Sequence, residues 1–156
     1  MRKNSGFTAF ELAISLAIMV IISALVLPPY LKWLRGHRLR GAVTNLMADL
    51  EMAKIRAIRE NSMIAVQFCQ DRYTIFNENG DVNYVCGTAG REVYRDRKLP
   101  AGVEIDLGEL SFADDRTRFN GRGLPDGITT EQKIPVKNKS SGQKITVNRL
   151  GYMKVQ

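Results

Sequence analysis

The chain is 156 residues long, 44% hydrophobic and 25% charged, with 23 Lys and Arg against 16 Asp and Glu, a formal net charge of +7 at pH 7. That length holds one membrane helix and one domain of roughly 100 residues with a single core. The chain has one histidine and two cysteines; no Cys/His set has zinc spacing, and Gly87-Thr88-Ala89-Gly90 lacks the pattern of a phosphate loop, so metal and nucleotide chemistry find no support.

At the N-terminal end, Arg2 and Lys3 precede Gly6, and Gly6-Phe7-Thr8-Ala9-Phe10-Glu11 opens an apolar run. Leu12 to Leu27 contains no charged residue, and only Ser15 and Ser23 are polar. From Phe7 to Leu31 a helix would be ~37 Å long at ~1.5 Å per residue, enough to cross a bilayer core of ~30 Å. A conventional secretory signal ends its apolar run at a small-residue cleavage site. Here the run continues into an amphipathic segment, so the helix is expected to be retained.

Glu11 is the exception in this helix. An ionised carboxylate in hydrocarbon costs on the order of 2–3 kcal/mol and calls for a partner. If the chain were cut after Gly6, the new α-amino group of Phe7, with an ordinary pKa of about 7.7–8.0, would be largely protonated and would neutralise Glu11 on its own chain or on a neighbour. The other reading is an interfacial Glu at the mouth of an ordinary signal anchor.

Pro28-Pro29 remove backbone donors near the far end of the run, which predicts a kink or a melted turn. Tyr30 to Arg59 then reads as a second helical stretch. Leu39, Val43, Leu46, Met47, Leu50, Ala53, Ala57 and Ile58 recur at spacings of three and four, with Arg38, Arg40, Asp49, Glu51, Lys54, Arg56 and Arg59 on most of the remaining surface. Gly36 and Gly41 weaken this helix by roughly 1 kcal/mol each relative to Ala, so a bend is expected near them. His37 reads as a solvated helix residue, and Glu60-Asn61-Ser62 as the helix end.

The remainder is strand-like. Met63 to Cys69, Arg72 to Asn77 and Val82 to Cys86 are rich in β-branched and aromatic residues, with an Asn79-Gly80 hairpin signal between the last two. Further strands are expected at Glu92 to Tyr94, Val103 to Leu107, Arg116 to Asn120, Lys133 to Val136, Lys144 to Asn148 and Tyr152 to Val155. Pro100-Ala101-Gly102, Gly121 to Gly127 and Lys137 to Gly142 supply the breaks. The expected architecture is α+β: a long N-terminal helix continuing into an amphipathic helix packed on small antiparallel sheets.

Cys69 and Cys86 form an even pair that would close a loop of roughly seventeen residues. A simple three-strand meander would hold them about two strand spacings of 4.7–4.9 Å apart, beyond the usual Cα limit of about 7 Å. The bond therefore requires Cys86 to lie beyond the regular ladder.

The stretch Gly6 to Glu11 resembles the class III signal of type IV prepilins and type II secretion pseudopilins, except that Ala9 and Phe10 follow the Phe-Thr pair where Leu is usual. The resemblance implies cleavage after Gly6 by a prepilin peptidase, N-methylation of Phe7, and docking of the subunit through Glu11. It divides the chain into a leader (1–6), a transmembrane and filament-core helix (7–31) and a pilin-like domain (32–156). Leu46, Leu50, Ala53, Arg56 to Arg59, Phe119-Asn120-Gly121-Arg122-Gly123 and Leu150-Gly151-Tyr152 extend the resemblance to the GspH/FimT family of minor pilins and pseudopilins. That implies a structural protein without cofactors, held by the bacterial inner membrane with its domain in the periplasm and then in a filament beside other pilins. Members that bind DNA carry Gly-Arg-x-Arg near the C-terminus, where this chain reads Gly151-Tyr152-Met153-Lys154.

Charge distribution bears on that last point. Residues 116–156 contain nine Lys or Arg and two acids, whereas residues 1–115 contain fourteen of each sign, so all the net charge lies in the last quarter. Such a balance fits a surface that meets phosphate, anionic lipid or an acidic partner, and equally a solvated basic face. Arg122, Lys144, Arg149 and Lys154 are the candidate DNA contacts. Asp106, Glu109, Asp114 and Asp115 are the acidic set nearest to a calcium site, but their spacing matches no standard loop.

Overall fold

The computed structural model describes residues 8–78, 86, 93–128 and 130–156. The Gly6-Phe7 junction, the Asn79-Gly80 turn, the expected strand from Val82 apart from Cys86, and the Gly87–Gly90 stretch lie outside the described residues. The chain divides into two compact units, one ending at Leu34 and one from Arg35 to Gln156.

A single helix, α1 (Ala9–Glu60), replaces the two helical stretches expected from the sequence. Pro28 and Pro29 lie inside it, as do Gly36 and Gly41, and none of them ends it. The two prolines remove two helical donors, but the turns on either side keep theirs. α1 is long and apolar enough to cross a membrane by length and composition. In the first unit its side chains from Ala9 to Trp33 are exposed.

α1 stops with a left-handed residue. Asn61 has φ 45°, Ser62 N–H donates to Ala57 O at 3.2 Å, and Asn61 N–H donates to Ile58 O at 3.4 Å. This is the paired closing bond of a Schellman end, with Asn in the place Gly often takes.

In the second unit, β1 (Ile64–Phe68), β2 (Arg72–Asn77), β3 (Val93–Lys98) and β5 (Arg116–Phe119) form one antiparallel sheet in the order β3-β2-β1-β5. β4 (Val103–Ile105), β6 (Gln132–Asn138), β7 (Gly142–Val147) and β8 (Met153–Val155) form the other in the order β4-β6-β7-β8. Short 3-10 turns lie at Leu107–Glu109 and Ala113–Asp115. The expected strand to Leu107 therefore stops at Ile105, where Asp106 accepts from Gly108 N–H and caps the turn. β6 is longer than expected and contains Pro135. The Pro135 carbonyl accepts from Asp106 N–H just past the end of β4, so the donor Pro lacks falls where the ladder has already stopped. The expected break from Lys137 narrows to a turn at Asn138, whose side-chain oxygen accepts from Ser140 and Ser141 N–H.

One core joins both sheets to α1. Leu39, Val43, Leu46, Leu50, Ala53 and Ala57 supply the helix stripe; Ile64, Val66, Phe68, Tyr73, Ile75 and Phe119 come from the first sheet; Ile134, Val136, Ile145, Val147 and Met153 come from the second. Ile58, expected on that stripe, is instead exposed, whereas Asp49, expected in solvent, is 3% exposed. Asp49 is buried because the first sheet brings it partners: from β3 Arg95 Nη1 at 2.6 Å and Arg97 Nε at 3.0 Å, and from β2 the Tyr73 hydroxyl, which donates at 2.7 Å. Burial, together with the Asp49 carboxylate, pushes the Tyr73 phenol well above its ordinary value of 10.0.

Candidate functional site

The start of α1 is built by two side chains. Thr8 N–H and its hydroxyl both donate to Glu11 Oε2, at 3.0 and 2.9 Å, and Glu11 N–H donates back to Thr8 Oγ1 at 3.2 Å. This is a capping box, Thr8-x-x-Glu11, that satisfies the first orphan donors of the helix. The sequence reading treated Glu11 as a lone charge; the Thr at i−3 is the signal that it also begins the helix. From Ala9 to Leu31 Glu11 is the one charged residue, and the large apolar side chains around it are exposed, Leu12, Ile18, Met19 and Leu25 by more than half.

Cys69 and Cys86 are bonded, with Cα atoms 5.9 Å apart. As the bond requires, Cys86 lies in a turn beyond the ladder, and the second neighbour of β2 is β3. Cys69 stands just past β1, its N–H bonded to Arg72 O at 2.9 Å.

The basic C-terminal quarter does not present all its charge outward. Arg116 and Arg118 both pair with Glu78, at 2.8 and 2.7 Å, and Arg116 is itself buried. Lys137 pairs with Asp106, and Lys144 with Glu109 at 2.9 Å. The Asp106 hydrogen bond raises Lys137 above its ordinary value of 10.5, and the same bond lowers Asp106 below 3.8. Arg122, Lys133, Lys139, Arg149 and Lys154 are exposed and make no ion pair with a described residue. Of the four candidate DNA contacts, Lys144 and Lys154 thus lie on β7 and β8, and Arg122 and Arg149 lie on loops.

Those two loops have the same construction. In Asn120-Gly121-Arg122-Gly123-Leu124, the Asn120 side-chain oxygen accepts from Arg122 and Leu124 N–H at 2.9 and 3.1 Å. In Asn148-Arg149-Leu150-Gly151-Tyr152, the Asn148 oxygen accepts from Leu150 and Tyr152 N–H at 3.0 and 2.9 Å. Each loop is also closed by backbone bonds, Asn120 N–H to Leu124 O at 3.0 Å and Asn148 N–H to Tyr152 O at 3.1 Å. The fourth position turns left-handed in both, Gly123 with φ 74° and Gly151 with φ 71°. The loops abut there: a Cβ at Gly151 would stand 2.9 Å from Gly123 O and 3.5 Å from Lys54 Cε. Lys54 Nζ donates to Gly151 O at 2.8 Å, tying the second loop to α1. From the sequence Lys54 reads as part of the solvated helix surface and Gly121 to Gly127 only as a break; the repeated Asn-x-x-Gly spacing is the signal that pairs the loops.

Among known families, the one described as Type II transport protein GspH matches residues 42–151. That span covers most of α1 within the second unit, the first sheet, β4, β6 and β7, the first loop, and the second loop as far as Gly151. The chain belongs to the GspH family. No curated protein matches the sequence. Among solved structures, this GspH-family chain is similar in fold to the type IV minor pilin FimU of Pseudomonas aeruginosa, with TM-score 0.59 and 15% identity over 77% of this chain and 89% of that one. It is also similar to the minor pseudopilin EpsH from the Type 2 Secretion System of Vibrio cholerae, with TM-score 0.56 and 12% identity over 76% and 96% of the two chains. The family match and the structural likeness agree: this GspH-family chain has the fold of these minor pilins and pseudopilins.

Proposed function

We propose that this GspH-family protein acts by assembly: it is cleaved after Gly6, N-methylated at Phe7, and packed through α1 into a type II secretion pseudopilus or a type IV pilus. The observation that carries this reading is the exposed apolar surface from Ala9 to Trp33, interrupted up to Leu31 by the single charge of Glu11. So large an apolar surface is covered by lipid before assembly and by neighbouring helices after it. The Glu11 carboxylate then pairs with a protonated Phe7 amine, its own or a neighbour's. Arg2 and Lys3 ahead of the apolar run favour a cytoplasmic leader in the inner membrane, and the Cys69–Cys86 bond favours an oxidising periplasm for the domain. On this reading the chain is a leader (1–6), a membrane and filament helix (7–31) and an outward-facing domain (32–156), and its partners are a prepilin peptidase and other pilins.

Capture of DNA through Arg122, Lys144, Arg149 and Lys154 is the alternative. It has less support, because Lys144 is held by Glu109 and the position of the Gly-Arg-x-Arg motif reads Gly151-Tyr152-Met153-Lys154. The test of assembly is Glu11→Ala: the variant should be cleaved to a methylated Phe7 terminus, read by mass spectrometry of purified membranes, and be missing from sheared filaments. Normal incorporation would refute the reading.

A further inference from the structure

We propose that the paired Asn120 and Asn148 loops form a docking surface for an acidic segment of another protein that carries apolar side chains. The surface is preformed. Each loop is fixed by two side-chain and two backbone hydrogen bonds, and the pair is backed by Lys54 and by Ile58, whose Cδ1 lies 2.7 Å from where a Cβ on Gly123 would stand. Little conformational freedom remains to be lost when a partner arrives. What the loops display is apolar: Leu150 is 74% exposed and Tyr152 66%, with Leu124 on the adjoining loop and Ile58 beside it also exposed. A single exposed Leu needs no explanation; several on two interlocked loops do. An exposed tyrosine and two exposed arginines on the same pair of loops are residue types enriched at protein interfaces.

Charge selects the partner. Arg122 and Arg149 flank the apolar residues and pair with no acid among the described residues, so the complementary surface is acidic. A nucleic acid fits less well. Two arginines neutralise few phosphates, and Leu124, Leu150 and Ile58 would gain nothing from a sugar-phosphate backbone. The proposal holds whether or not α1 enters a filament.

The test uses the full chain in detergent micelles and fluorescence anisotropy with three labelled probes: a random copolymer of glutamate and tyrosine, poly-glutamate of equal length, and a DNA duplex. The copolymer should bind about ten-fold or more tightly than poly-glutamate. Arg122→Glu with Arg149→Glu should weaken copolymer binding about ten-fold. Leu150→Ser with Tyr152→Ser should weaken it similarly and leave poly-glutamate binding unchanged, while Lys139→Glu changes neither. Independently of any variant, copolymer binding should survive at high salt where poly-glutamate binding is lost. Equal affinity for the two polymers, or no effect of the Leu150/Tyr152 pair, would overturn the proposal. Tighter binding of the duplex than of the copolymer, lost only in the arginine variant, would assign the loops to nucleic acid instead.

Discussion

Thr8 and Glu11 cap each other: the Thr8 hydroxyl donates to Glu11 Oε2 at 2.9 Å and accepts from Glu11 N–H at 3.2 Å. Glu11 therefore has two separable properties, an acceptor that starts α1 and a charge available for pairing. Glu11→Gln keeps the acceptor, since Gln also serves in a capping box, and discards the charge. Thr8→Ala does the reverse, losing the cap at a cost of about 1 kcal/mol. On the assembly reading, Glu11→Gln should be absent from sheared filaments and Thr8→Ala present in them. Immunoblots of sheared and cellular fractions measure both, and incorporation of Glu11→Gln would assign Glu11 to helix capping alone.

Asp49 anchors β3 to α1. Asp49→Ala leaves the Tyr73 hydroxyl buried without its acceptor and removes the carboxylate between Arg95 and Arg97. Breaking a fully buried ion pair costs about 3–5 kcal/mol, but the two arginine side chains are 40% and 34% exposed, so about 2–3 kcal/mol is expected. Tyr73→Phe, which deletes one hydrogen bond, should cost about 1 kcal/mol. Urea unfolding followed by circular dichroism ranks the two, and equal losses would mean that the arginines contribute nothing.

The Cys69–Cys86 bond closes a loop with a sequence separation of 17. In the chain-entropy model a loop of this size is worth about 3 kcal/mol. Reduction, or Cys69→Ser with Cys86→Ser, should lower stability by that order without unfolding the second unit, whose core lies along α1 and both sheets. Alkylation without reductant followed by mass spectrometry should label neither thiol.

Lys137 and Asp106 share a hydrogen bond that lowers the Asp106 carboxyl below 3.8 and raises the Lys137 ammonium above 10.5. Asp106 therefore contributes stability above about pH 3.8 that is lost as pH falls through its lowered folded value. Lys137 contributes below about pH 10.5 and loses its contribution as pH rises through its raised folded value. Asp106→Asn should therefore melt at a lower temperature than the unaltered chain by a small, constant amount between about pH 5 and 9, with the gap closing at both extremes. The side chains are 44% and 25% exposed, so solvent screening keeps the gap small. A gap that persists at both pH extremes would mean that the ion pair is not its source.

How far the sequence reached depended on whether the signal was local. The helix stripe from Leu39 to Ala57 and β1, β2 and β5 to β8 follow from periodicity and turn residues a few positions apart, and the strand ends stand within two residues of expectation. Asp49 was unreadable because its partners on β3 lie 46 and 48 positions away, and a charge on a helix is usually solvated. β3 was cut short for the same reason: Arg95-Asp96-Arg97 looks like a solvated run until Asp49 accounts for Arg95 and Arg97, and Thr74 Oγ1 donates to Asp96 at 3.0 Å. The basic tail was readable as a total but not as a surface, since counting charges cannot reveal that Glu78 takes two arginines.

Glycine substitutions separate backbone strain from packing in the two loops. Gly127 has φ 70° with nothing near a built Cβ, so Gly127→Ala carries only the left-handed cost of about 1 kcal/mol. Gly123→Ala adds a 2.7 Å approach to Ile58 Cδ1, the end of an exposed side chain that can move aside, so it should cost little more. Gly151→Ala adds a 2.9 Å approach to Gly123 O, a backbone atom fixed inside the neighbouring hydrogen-bonded loop, and it crowds Lys54 Cε. It should cost about 2–3 kcal/mol, because relief requires the loops to part. Thermal melts should therefore rank Gly151→Ala well below Gly123→Ala and Gly127→Ala. If all three melt alike, the loops are not interlocked, and the rigid surface they present to a partner does not exist.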